Sequence, residues 1–158
     1  MANKTLKYFM REEAKHEVIV KVPGPDTIKD ENGKTVEFEI KVLTNEEVAK
    51  INDMYKSRTP ARDKKGNYII QNGELVFRSE KDNAKAARHI MVEALVYPDL
   101  KDPELMQFYD CNDITEMPFK VFPTSAEYAY VSKKVMEVLG MIDPAESKDE
   151  KDLEDAKN

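Results

Sequence analysis

The hydrophobic and polar positions of this chain follow two periods, and the change between them divides the sequence. Near the start Leu6, Phe9 and Met10 stand at i, i+3 and i+4, which predicts a short helix over 5–14. The run that begins at His16 then alternates, placing Val18, Val20 and Val22 on one face, and Pro23-Gly24-Pro25 ends it because neither proline can donate to a strand ladder. After the turn dipeptide Asn32-Gly33 the alternation is stricter. Val36, Phe38, Ile40 and Val42 face one way and Thr35, Glu37, Glu39 and Lys41 the other, as in a strand packed on one side and wet on the other. The two strands predict a hairpin.

Helical spacing takes over at Thr44-Asn45-Glu46-Glu47, a capping box in front of a helix with Val48, Ile51 and Tyr55 on one stripe, ending before Pro60. Tyr68-Ile69-Ile70 and Leu75-Val76-Phe77 flank Asn72-Gly73, which predicts a second short hairpin, with a loop of some strand character as the alternative. The helix from Ala84 has Ala87, Ile90, Met91, Ala94 and Leu95 on a wide apolar stripe, opposite Lys85, Arg88, His89 and Glu93, and stops at Tyr97-Pro98. Asp102-Pro103 opens a short helical turn, and Pro118 and Pro123 bracket a predicted loop. Thr124-Ser125-Ala126-Glu127 reads as a second capping box. The helix behind it packs through Tyr128, Val131, Val135, Val138 and Leu139 and closes at Gly140.

The fold class expected from this pattern is α+β and predominantly helical. It comprises an N-terminal β-hairpin, with the second short hairpin as an option, followed by a helical C-terminal half. A single domain is expected over 1–143. From 144 to 158 the chain is charged with Leu153 as its only large apolar residue, so it is read as a disordered acidic tail.

Composition narrows the function. The 158 residues suit one domain with a real core, but 35% are charged, which suits a thin fold with much solvated surface. The formal charge of −6 argues against nucleic acid or an anionic membrane as the main partner. The lone Cys111 cannot form an internal disulfide, no apolar run approaches a membrane span, and the first residues lack the apolar core of a secretory signal. A cytoplasmic location is expected.

Reactive chemistry is sparse. His16 stands at a strand entry and His89 among charged helical neighbours, where a solvated role is expected, and no further ligands at metal spacing accompany either. Cys111 reads as a small buried hydrophobe. The run Asp110-Cys111-Asn112-Asp113 fails as a calcium loop, since Ile114 and Thr115 occupy the positions that need a ligand and a glycine; a helix-ending turn is the better account. The glycines are scattered singly and make no phosphate cradle. The basic stretch Lys56–Lys65 reads as a solvated helix end and loop, with contact to phosphates, to an acidic partner helix or to the chain's own acidic tail as the alternatives. No catalytic residue, cofactor or metal is expected.

Several segments taken together carry a resemblance: LKYFMRE, GKTVEFEIKVLTNEE, EALVYPDL with DPEL behind it, and SAEYAYVSKKVMEVLG. In order and spacing the chain is similar, from about Leu6 to Gly140, to phage tail assembly chaperones of the XkdN-like family, encoded by phages and prophages of Gram-positive bacteria. It departs before the last helix, where PFKVFPTSAEY replaces a leucine run followed by Pro-Gly-Glu-Tyr. The resemblance implies a non-catalytic protein of the host cytoplasm that binds the tape measure protein, helps tail tube protein polymerise around it, and is absent from the mature virion. Self-association is a further option. The alternatives are a tail or head–tail connector subunit retained in the particle and a nucleic-acid-binding regulator using Lys56–Lys65.

A holdase for an amphipathic helix needs apolar grooves and adaptable side chains. In the last helix Ala129, Tyr130 and Met136 lie beside the packing stripe, and Met91 is among the methionines of the helical half. These four are the candidate partner-binding residues.

Overall fold

The alternating valines meet the alternating apolar residues of the second strand in register. In a computed structural model, which describes residues 4–12 and 17–143, β1 (Ile19–Pro23) and β2 (Glu37–Lys41) form an antiparallel hairpin pairing Val20 with Ile40 and Val22 with Phe38. Phe38 and Ile40 are fully buried, as the pattern demands; β1, at the sheet edge, leaves Ile19 and Val20 part-exposed, like Val18 just before it.

The capping box at Thr44 forms in both directions and starts α1 (Asn45–Met54). Where the sequence predicts more helix, the chain turns extended. β3 (Lys56–Pro60) pairs with β6 (Phe77–Lys81), and between them β4 (Ile70–Gln71) and β5 (Glu74–Leu75) close on Asn72 and Gly73, at φ 53° and 78°. Both of those angles are what a type I′ turn requires. Residues 56–81 thus make one β-arm, whose own small core is Ala61, Ile69 and Val76, joined by backbone hydrogen bonds of 2.8–3.0 Å. The basic stretch Lys56–Lys65 is its first strand and turn, not a helix end.

The helix α2 (Asn83–Ala94) stops three residues before the expected point, and β7 (Leu95–Tyr97) joins β2 to give the sheet order β1-β2-β7. Leu95, fully buried and extended at ψ 109°, opens that third strand. Asp102 caps α3 (Pro103–Phe108) through its carboxylate, with Pro103 at the first position. The segment expected as a loop between Pro118 and Pro123 contains α4 (Met117–Val121). Pro118 stands in its first turn, where the missing N–H is not needed. Finally α5 (Ser125–Val138) ends in a left-handed Gly140 at φ +74°, and the amides of Gly140 and Met141 return to the carbonyls of Glu137 and Met136. At its start only half of the predicted box forms. Thr124 accepts from the Glu127 amide, but the Glu127 carboxylate accepts from Thr27 Oγ1 at 2.6 Å, tying α5 to the β1–β2 connection.

The predominantly helical reading is therefore corrected. Of the described residues 37% are helical and 23% are in strands, spread over three small antiparallel sheets, and strands recur in the middle of the chain. The physical reason is that β3 and β6 are wet on both faces, so no alternation marks them, while β7 hides in the apolar continuation of a helix. The N-terminal helix reduces to a 3₁₀ turn at Lys7–Phe9, and Ala14, His16 and the acidic tail lie outside the described residues.

The core fills the space between the β1-β2-β7 sheet and α1, α2, α4 and α5. Phe122 lies against Phe38 with ring centroids 5.9 Å apart, and Leu100, Met117, Val92 and Val131 close around them. Each large side chain buried there contributes about 1.5–3 kcal/mol.

Candidate partner-binding surfaces

The polar residues singled out for chemistry take structural places. His89 is buried rather than solvated. Its Nδ1 lies 2.6 Å from the Tyr55 hydroxyl, its Nε2 3.4 Å from a Glu93 oxygen, and Glu93 also meets Lys101 at 3.0 Å. In the neutral imidazole, with the ionised Glu93 able only to accept, Nε2 carries the proton and Nδ1 accepts from Tyr55. Burial pushes the Tyr55 hydroxyl above its ordinary value, with the Asp113 carboxylate adding to the shift. Cys111 is buried beside the Asp113 carbonyl. The Asp113 carboxyl accepts from both the hydroxyl and the amide of Thr115, which holds its pKa below the usual carboxylate range. Arg88, expected on a polar face, is mostly covered. It donates to the Thr115 carbonyl at 2.8 Å and lies 4.6 Å from the Phe119 ring, pinning α2 to α4. Among the described residues no three His, Cys, Asp or Glu side chains converge as metal ligands.

The four candidate partner-binding residues are not brought to one surface. Met91 is 2% exposed in the core. Tyr130 is half-buried, donates its hydroxyl to the Pro23 carbonyl at 2.9 Å, and so fastens α5 to the end of β1. Ala129 and Met136 on α5 are exposed.

Larger apolar surfaces lie elsewhere. Leu6, Tyr8, Phe9 and Met10 are 67–78% exposed around the Lys7–Phe9 turn, four large apolar side chains within five residues. Helical spacing was present, but none of the described residues buries these side chains. The β-arm adds Tyr68, Ile70, Leu75 and Phe77, with Arg58 stacked 4.3 Å over Phe77 and Arg62 at the same distance over Tyr68. Phe108 is 78% exposed at the end of α3. The signal for the arm was in the sequence as the Asn72-Gly73 turn; its extent was not.

A family model described as phage XkdN-like tail assembly chaperone matches residues 6–157. The chain is similar to the protein YqbN of Bacillus subtilis (strain 168), 30% identical over 151 residues, which span 96% of this chain and 91% of that protein. It is also similar to protein XkdN of the phage-like element PBSX of the same organism, 26% identical over 145 residues, 92% of this chain and 90% of that protein. A crystal structure of YqbN shares the fold, with a TM-score of 0.64 at 24% identity over 88% of this chain and 98% of that one.

Proposed function

This chain belongs to the phage XkdN-like tail assembly chaperone family, and from that premise we propose that it binds the tape measure protein during tail assembly. In this reading it keeps that long helical protein soluble, lets tail tube protein polymerise around it, acts without catalysis in the host cytoplasm, and leaves before the virion is complete. The observation that supports it is the group Leu6, Tyr8, Phe9 and Met10, which presents apolar side chains that no part of the described chain covers. An amphipathic helix buries its apolar stripe against side chains of this kind.

Co-expression with the tape measure protein of the same phage is the test. The complex should co-purify, and Leu6→Asp with Phe9→Asp should abolish it while circular dichroism stays unchanged. Mass spectrometry of purified virions should find tube protein and none of this chain. Recovery in virions at structural copy number would instead favour the retained connector reading.

A further inference from the structure

The arm carries a charge opposite to the rest of the molecule. Residues 56–81 hold seven Lys or Arg against three Asp or Glu, a net +4, whereas the whole chain is −6, leaving −10 on the remainder. Among the described residues only Lys56 of those seven cations has an ion-pair partner, Asp53 at 2.6 Å. Arg58, Arg62, Lys64, Lys65, Arg78 and Lys81 have none, and Lys56 and Lys81 stand directly opposite each other in the β3–β6 ladder. Asp53 already offsets the repulsion of that pair, so the arm's uncompensated charge lies on Arg58, Arg62, Lys64, Lys65 and Arg78. The arm is also apolar, since Phe77 and Tyr68 are exposed beneath their stacked guanidinium groups.

A matching surface exists on the body. Residues 99–116 contain six Asp or Glu and one Lys. Around α3, the carboxylates of Asp99, Glu104 and Asp110 form no ion pair among the described residues, and the exposed Phe108 follows Glu104 by one helical turn and precedes Asp110 by two residues. Acidic rim and aromatic centre complement the arm's basic rim and aromatic centre, the arrangement that steers and orients association.

We infer that the β-arm of one molecule docks on the α3 surface of a second copy. Because the two patches differ, the contact is head-to-tail and repeats in an open array instead of closing on itself as a two-fold dimer does. The inference does not rest on tape measure binding, although an array of this kind suits a long helical client.

The full chain tests it by sedimentation velocity across protein concentration at low and high salt. Association is expected at low salt and should weaken as salt screens the contact. The arm variant Lys64→Glu/Lys65→Glu/Arg78→Glu and the platform variant Glu104→Lys/Gln107→Lys should each self-associate at least about tenfold more weakly. An equimolar mixture of the two should associate again, since each reversed patch then meets a complementary one. That rescue separates lost contact from lost fold. A wild-type chain that stays monomeric at every salt, an association indifferent to both variants, or a mixture that fails to recover overturns the inference, as does an arm that binds only another protein.

Discussion

The Tyr55 hydroxyl lies 2.6 Å from Nδ1 of His89, joining the C-terminal end of α1 to the middle of α2. The Tyr55 carbonyl, in turn, accepts from the Asp82 amide at 3.0 Å, where the arm returns to the body. One residue thus fixes both the helix pair and the root of the arm. Tyr55→Phe leaves a buried imidazole nitrogen without its donor, which costs about 1–3 kcal/mol. Urea unfolding should show that loss. Exchange of the Asp82 amide should accelerate in the variant, and an unchanged midpoint would mean that water replaces the hydroxyl.

Gly24 is set by a close approach rather than by backbone dihedrals. A Cβ there would stand 2.5 Å from the Val36 carbonyl oxygen and 2.7 Å from the Phe38 ring, while the Gly24 amide donates to that same carbonyl at 2.9 Å. Neither neighbour can retreat, because the carbonyl is backbone and Phe38 is core. Gly24→Ala should therefore cost about 1–3 kcal/mol through overpacking. Thermal unfolding measures it, and a neutral result would show that the hairpin end yields more easily than the packing implies.

These cases mark how far the sequence could be read. Phe38 and Ile40 announced their strand because one face is packed and the other wet, and Thr44 and Glu47 announced their helix because caps are local chemistry. His89 did not announce its burial. α2 packs against α1 on one side and against α4 and α5 on others, so part of its polar face is covered as well; Ala86 and Val92, three residues to either side, were the available hint. The arm strands were illegible because solvent on both faces removes any period. Of the candidate partner residues, Met91 is in the core because it stands on the apolar stripe of α2, whereas Met136, beside the stripe of α5, is exposed.

Asp113 supplies a pH dependence whose direction is fixed. The Thr115 hydroxyl and amide hold its folded pKa below the unfolded value of about 3.9. In that range the unfolded chain binds more protons, so stability is present above about pH 4 and falls as acid takes the pH down through the folded value. Asp113→Asn should flatten that part of the curve. Unfolding midpoints of the two proteins between about pH 3 and 6 make the comparison, and parallel curves would assign the acid loss to other carboxylates.

Tyr130 and Met136 separate fold from binding on the same helix. Tyr130 holds β1 through the Pro23 carbonyl and is half-buried, so Tyr130→Asp removes a strut and places a charge against the sheet edge. That change should destabilise the domain and cannot test a surface role. Tyr130→Phe removes only the hydroxyl and should cost about 0.5–1.5 kcal/mol. Met136 is 37% exposed and makes no polar contact beyond its backbone, so Met136→Asp should stay within about 0.5 kcal/mol of wild type. If α5 contributes to the client surface, Met136→Asp should cut co-purification with the tape measure protein while circular dichroism and midpoint hold. A folded Met136→Asp that still binds fully removes this edge of α5 from the surface and leaves the apolar group at Leu6–Met10 as the place to look.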